Sequence, residues 1–457
     1  MGHSTEKNRS LRHVFAACLF MLLLHTSAII SCAGGQETAA RLAAEITVTA
    51  PGGAVRNHAQ LVDDDYTTKL PLAGNTQIKV GTRENIQGIY LIWDSPPGLW
   101  ALQARETERT SMYLQGENGW IHEYVELPEP SSSVVLVAPE AGAVLCDIAV
   151  YGPGVLPDNV QVWEPPCSDA DLLLLPTHAD DEHLFFGGAM PYYAGELGYQ
   201  VQVAYLTNHW AEAYRPHELL NGLWTVGVRS YPVIGDFPDY YSDSLEHAKT
   251  LYDLNELLAY QVELLRRFRP EVVIGHDIDG EYGHGVHMLN TWALQQAIGL
   301  AADESYMPDQ VSSWGTFEVS KVYLHLYPER TVQMDWTIPL ARFGGRTAFQ
   351  MAEEGFSRHI SQQKWFSVRN EGVHDCRAFG LYHSAVGDDD VSEAPDFFQN
   401  IETFSDDPKP ELPDQETSGK ETAENATGLP GAGLIAGILL LIVTIFLLQR
   451  RKRNRKC

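Results

Sequence analysis

Two short stretches concentrate the ionisable chemistry of this chain. In "LLLLPTHADDEH", four leucines run directly into His178, Asp180, Asp181, Glu182 and His183. Much further on, "HDIDGEYGHGVH" supplies His276, Asp277, His284 and His287. Catalytic zinc typically takes three protein ligands drawn from His and carboxylate and leaves a position for water. A His and an Asp in one loop, joined by a His from a distant loop, fit that recipe. A carboxylate beside them could take a proton from the water, whose pKa the metal lowers. Plainer roles exist for the same residues. Asp180 and Glu182 could cap a following helix, and His284 and His287 could be ordinary loop histidines. His183, His209, His217, His276 and His383 read as structural or rim residues.

The two stretches can meet only if strands deliver them to one edge. "DLLLLP", "QVQVAYL" and "EVVIG" are short, buried-strand patterns. Between them the sequence predicts helices over Glu182–Leu197, Pro216–Val228 and Leu254–Phe268, the last with Leu254, Leu257, Leu258, Val262, Leu265 and Phe268 on one face. Alternating strands and helices imply an α/β domain with a Rossmann-like, doubly wound parallel sheet. Ligands of such sheets sit beyond the carboxyl ends of the strands, where both ionisable loops fall. Ahead of this region, residues 34–166 contain "EITVTA", "GIYLIWD", "WIHEYVEL", "SVVLVAP" and "CDIAVYG". These short β-branched and aromatic runs, separated by turn residues, predict an all-β sandwich or jelly roll. "DFPDYY" and "AFGLYHSAVGDDD" read as aromatic loops that could line a sugar pocket or simply pack.

The 457 residues allow two folded domains plus tails. A net charge of −28 argues against a nucleic-acid partner, which needs a basic surface. Residues 1–33 read basic, then apolar, then small, the order of a secretory signal peptide, with an uncleaved anchor or lipidation at Cys32 as lesser alternatives. Residues 405–428 are a polar, acidic stalk and 429–449 an uncharged apolar span, followed by a basic tail over 450–457. The expectation is a single-pass cell-membrane protein with its bulk outside. "LPGAG" from Leu429 offers a sortase-type wall anchor as the alternative. Cys146, Cys167 and Cys376 allow one disulfide, Cys146–Cys167, without demanding it.

"HADDE" followed by "GEYGHGVH" resembles the PIG-L (LmbE-like) family of zinc-dependent N-deacetylases, whose patterns run roughly His-Pro-Asp-Asp-Glu and Gly-His-Pro-Asp-His. "VAYLTNHW", "RPHELLNGLWTVGV" and "RPEVVIGHD" agree with it, and the resemblance gives a catalytic domain over residues 167–404. It implies that His178, Asp181 and His287 hold one Zn2+ and that Asp180 is the general base. It further implies that His284, protonated, stabilises the oxyanion or assists the leaving amine. Tyr282 would lie near the scissile carbonyl, and Arg215 would contact substrate. The implied reaction removes an N-acetyl group from an N-acetylglucosamine-type sugar or glycoconjugate. Ala179 and Val286 depart from the family pattern, which has Pro and Asp there. The second departure implies a lower pKa for His284. It also leaves open a catalytically weak or inactive surface carbohydrate-binding protein. A phosphoesterase is disfavoured by the single set of metal ligands and by the net negative charge. The preceding β region is similar, through "LVDDDYTTKL" and "CDIAVYGPG", to galactose-binding-like (discoidin-type) domains. That similarity implies Ca2+ at Asp63, Asp64 and Asp65, or a solvated turn there. Trp93, Trp100 and Trp120 would stack on sugars or fill the core.

Overall fold

The computed structural model describes residues 37–105 and 110–401. The predicted signal peptide, stalk, membrane span and basic tail lie outside them. Among the described residues no helix is long and apolar enough to cross a membrane.

The first half is antiparallel β structure. Its strands are β1 (Glu45–Thr49), β2 (Val55–Asn57), β3 (Leu70–Leu72), β4 (Gln77–Trp93), β5 (Trp100–Arg105), β6 (Thr110–Gln115), β7 (His122–Val137) and β8 (Ala143–Tyr151). Strand β4 organises the set. It pairs with β7 along one edge, while its other edge is shared between β1 near the start and β8 near the end. Register shifts between Gly81 and Gly88 bend the strand where the partner changes. "WIHEYVEL" and "SVVLVAP", expected as two strands, are one long strand β7. The β5–β6 pair was not foreseen at all. Trp93 and Trp100 are buried and pack together with centroids 5.9 Å apart, so they belong to the core. Trp120 stacks on Tyr231 at 5.5 Å and joins this half to the next. The acidic turn is tied by its own backbone and by Arg41. Asp63 and Asp65 accept hydrogen bonds from Asp65 N–H and Thr67 N–H at 3.0 and 2.9 Å, and Asp64 pairs with Arg41.

The second half is a sheet ordered β11-β10-β9-β12-β13-β15-β14. Its members are β9 (Leu172–Leu174), β10 (Val201–Thr207), β11 (Val233–Phe237), β12 (Val272–Gly275), β13 (Lys321–His325), β14 (Thr331–Gln333) and β15 (Ala378–Ser384). The first five in that order are parallel, whereas β15 and β14 are antiparallel to their neighbours. Leu172, Leu173 and Leu174 are wholly buried at its centre. That is why the run is continuous in leucine rather than alternating. "AFGLYHSAVGDDD", expected as a loop, is largely strand β15 and does not reach the strand-end cavity. Its Asp389 pairs with the buried Lys321.

The helices that matter here are α1 (Asp181–Leu184), α2 (Tyr214–Thr225), α3 (Leu245–Leu251), α4 (Leu254–Phe268), α5 (Gly285–Ala302), α6 (Pro308–Trp314) and α7 (Ala348–Phe356). Helix α4 has the predicted bounds, because Asp253 accepts from Asn255 N–H and Glu256 N–H at its start and Arg269 turns left-handed at its end. The helix expected over Glu182–Leu197 is broken. Only α1 forms, then Gly187 and Gly188 intervene before a π-helical segment, Met190–Glu196. A Cβ on Gly187 would sit 2.6 Å from Cys376 Sγ, and one on Gly188 would sit 2.6 Å from Trp336. Tertiary crowding therefore selects the break. The allowed Cys146–Cys167 bridge is not formed, since Cys146, Cys167 and Cys376 are all free. Cys146 is buried, and Cys167 N–H is tied to Gln202 Oε1 at 3.1 Å.

Candidate active site

The loop leaving β9 carries His178, Asp180 and Asp181, and the first turn of α5, reached from β12, carries His287. Because β9 and β12 are adjacent and parallel, their carboxyl ends bring these loops together. The β9 loop is clamped from several sides. Thr177 N–H donates to His276 Nε2 at 2.9 Å, and Asn290 Nδ2 donates to Thr177 Oγ1 at 3.1 Å. His178 Nδ1 lies 3.0 Å from His287 Nε2 and 3.2 Å from Asp181 Oδ2, and His287 Nε2 lies 3.4 Å from Asp181 Oδ2. Ligand atoms about 2.0–2.1 Å from a tetrahedral zinc ion are separated by about 3.4 Å. All three residues are buried.

Proton accounting supports a cation at this point. His287 Nδ1 faces Glu281 Oε2 at 2.9 Å and donates to it, which leaves Nε2 as a lone pair aimed at His178 Nδ1. Burial raises the Asp181 carboxyl, but His287 and His178 outweigh it and hold Asp181 well below the usual carboxylate range. Burial disfavours charge on His287 too, yet Asp181 and Glu281 push it up to about 10. A donor set of two imidazoles and one carboxylate at this spacing suits a divalent ion.

The remaining predicted residues surround a cavity of about 310 Å³. Asp180 occupies the cap position before α1, but its side chain makes no cap hydrogen bond. It receives Arg215 Nη2 at 3.2 Å instead, while Glu182 Oε2 accepts from Asp180 N–H at 2.9 Å. Its φ of 127° is a conformation that L residues rarely adopt and costs on the order of 1–3 kcal/mol. Burial and the neighbouring Asp181 raise the Asp180 carboxyl well above its ordinary range, with Arg215 opposing. Arg215 lines the cavity; its Nη2 donates to Ala179 O and Asp180, while Nη1 lies 3.4 Å from His209 Nδ1 and 3.9 Å from Asp239 Oδ2.

His284 caps α5, its Nδ1 accepting from Val286 N–H at 3.3 Å. That fixes a tautomer with the proton on Nε2. Burial, with His178 and His287 close by, pushes His284 down to about 3. The side chain of Val286 does not face it. Val286 is buried in an apolar cluster with Leu206, Ala248 and Leu289. Tyr282 sits half-exposed on the rim with a left-handed φ of 59°, its ring 4.1 Å from that of His374.

Two carboxylates that hold the site were not singled out from the sequence. Glu281, wholly buried, contacts the Nδ1 atoms of His276, His287 and His325 at 2.8, 2.9 and 2.7 Å. Asp239, from "DFPDYY", faces His178 Nε2 at 3.2 Å and His209 Nδ1 at 3.3 Å. Glu281 lies inside the quoted motif and Asp239 inside the quoted aromatic loop, so position was the only available signal. His209 and His276 support the loop, as their structural reading expected, and His383 bonds Val319 O at 3.1 Å, away from the cavity.

A mixed α/β sheet with a His/Asp cluster and a flanking carboxylate at its strand ends defines the class of site. Residues 173–298 match the family described as PIG-L: GlcNAc-PI de-N-acetylase. The 1D-myo-inositol 2-acetamido-2-deoxy-alpha-D-glucopyranoside deacetylase of Geodermatophilus obscurus is 30% identical over 213 residues, covering 40% of this chain and 70% of that protein. The corresponding deacetylase 1 of Catenulispora acidiphila is 27% identical over 190 residues, and the match spans 36% of this chain and 58% of the relative. The chain belongs to the PIG-L family. Among solved structures, N,N'-diacetylchitobiose deacetylase from Pyrococcus horikoshii aligns with a TM-score of 0.33 and 17% identity, over 43% of this chain and 72% of that one.

Proposed function

We propose that this chain is a Zn2+-dependent amide hydrolase that removes an N-acetyl group from N-acetylglucosamine-type sugars or glycoconjugates. The observation that carries this reading is the convergence of His178 Nδ1, Asp181 Oδ2 and His287 Nε2 within 3.4 Å of one another, beside Asp180. His178, Asp181 and His287 would hold the ion. When bound, it supplies Lewis acidity to the amide carbonyl and lowers the pKa of water. Asp180, with its raised pKa, accepts a proton from the attacking water and returns it to the leaving amine. Arg215 and the Glu182 carboxylate hold Asp180 in place for that exchange. His284, neutral, offers Nε2–H as a hydrogen-bond donor to the developing oxyanion, and Tyr282 bounds the acyl side from the rim. A cavity of about 310 Å³ is near the lower end of the small-ligand range, which suits one sugar ring.

The β9–β14 sheet is read as the Rossmann-like catalytic domain. Residues 34–166 are read as a galactose-binding-like sandwich that presents glycan to it. The chain as a whole is read as a single-pass surface protein anchored through residues 429–449. A weakly catalytic, carbohydrate-binding protein is the second reading, favoured by His284, whose Nδ1 is taken up by the α5 cap and which burial keeps neutral.

The test is acetate release from N-acetylglucosamine and its oligomers by the full chain, with and without chelator, beside Asp180→Asn. Chelator-sensitive release that is lost in Asp180→Asn supports the hydrolase. Bound zinc with no acetate from any N-acetylated glycan overturns it in favour of binding.

A further inference from the structure

A second group of ligand-type side chains lies next to the first and takes no part in the proposed reaction. Glu182, His183 and His359 are wholly buried. Glu182 Oε1 is 3.1 Å from His359 Nε2 and 3.4 Å from His183 Nε2, and the three ligand atoms fit within a 4.8 Å span. Among the described residues, both ring nitrogens of His183 and of His359 and Glu182 Oε1 lack a well-aligned hydrogen bond, and the Tyr205 hydroxyl is directed at the same Glu182 carboxylate. Buried polar atoms are nearly always satisfied, so an ionisable group left this way indicates an ion or water that completes it.

Two glycines make the space. A Cβ on Gly222 of α2 would lie 2.7 Å from His183 Nε2 and 2.9 Å from His359 Nε2, and one on Gly355 of α7 would lie 2.3 Å from His183 Cε1. The rings therefore sit where two helices offer bare backbone. The two carboxylate-to-imidazole separations, 3.1 and 3.4 Å, are close to the 3.2 and 3.4 Å of the His178–Asp181–His287 cluster, and the donor set is again two imidazoles and a carboxylate.

We propose that Glu182, His183 and His359 form a second, structural metal centre that binds one Zn2+ through Glu182 Oε1 and one imidazole nitrogen from each histidine. Three such ligands suit zinc with a water in the fourth position, and burial on all sides keeps substrate from it, so its role is structural. The inference stands independently of the deacetylase reading. Its effect passes through the other carboxylate oxygen, because Glu182 Oε2 holds Asp180 N–H at 2.9 Å. The centre would rivet α1 and the turn after α7 together and keep Asp180 in its unusual backbone conformation.

The test is zinc stoichiometry of the full chain by plasma mass spectrometry after dialysis, read independently of activity. Two zinc per chain are expected in the wild type and one in Asp181→Asn with His287→Ala. Adding His359→Leu to that background should remove the last one. Zero zinc in the Asp181→Asn, His287→Ala variant overturns the proposal without requiring any change at the buried centre. Retention of that zinc after His359→Leu places it elsewhere and overturns the proposal equally.

Discussion

Glu281→Gln preserves the side chain's shape and removes its charge at the point where three imidazoles meet. Oε2 accepts from His276 Nδ1 and His287 Nδ1 at 2.8 and 2.9 Å. Oε1 faces His325 Nδ1 at 2.7 Å and accepts from Asp277 N–H at 3.2 Å. The proton of His276 is fixed on Nδ1, because its Nε2 accepts from Thr177 N–H. The amide oxygen of Gln must then replace Oε2, and its NH2 must replace Oε1. Asp277 N–H loses its acceptor, at about 1–3 kcal/mol. His287 keeps a hydrogen bond at Nδ1, but a neutral one, roughly half as strong as the charge-assisted bond. Its Nε2 becomes a poorer ligand. Outer carboxylates of this kind are worth about 10–100-fold in metal affinity, or about 1.4–2.7 kcal/mol. The assay is zinc competition against a chromophoric chelator, with circular dichroism to verify that the variant is folded. A folded Glu281→Gln chain with unchanged zinc affinity would refute the reasoning, since Glu281 would then not govern His287.

Asp180→Asn should keep its metal, because Asp180 stands outside the ligand contacts, yet lose about 10²–10⁴-fold in kcat; metal content and acetate release measured on one sample decide it. Val286→Asp, which sequence comparison alone would suggest as a rescue, should instead destabilise by at least about 3 kcal/mol, because it buries an unpaired carboxylate. Urea unfolding reads this, and wild-type stability with higher turnover would mean the new side chain reaches His284. Burial pushes Asp147 up to about 6, so the folded chain holds its proton more tightly than the unfolded chain does. That stabilisation is complete below the ordinary Asp pKa and is lost as pH rises through about 6. Asp147→Asn should therefore gain on wild type by about 1.4 kcal/mol for each pH unit across that window and by a constant amount above it. Thermal melts at several pH values test this, and parallel wild-type and variant profiles would count against it.

The legible parts were those where local pattern and burial coincide. Leu172–Leu174 and Val272–Gly275 read as buried strands because nothing but core surrounds them, and their order placed the two ionisable loops at one edge. Helix α4 was readable to its ends because Asp253 and Arg269 punctuate it locally. What escaped depends on contacts made far along the chain. The break at Gly187 and Gly188 is imposed by Cys376 and Trp336. Glu281 and Asp239 look like ordinary acidic loop residues until folding brings histidines from three different segments against them. Arg215 reads as a ligand for substrate, and only the folded loop shows that it also holds Asp180. Val286 illustrates the same limit: one residue from a ligand in sequence, it points into the core.

The proposed metal ligands would also impose an order of events on the nascent chain. His178 and Asp181 emerge early, but His287 joins them only after β10, β11, α4 and β12 have been made and β12 has docked beside β9. Closing so long a loop is slow compared with local helix formation. A partly synthesised or partly folded chain can offer no more than two of the three ligands. Capture of an ion there would then be a late event that reports completed assembly of the sheet, and starvation for metal would leave a chain whose backbone is built but whose last fastening is missing.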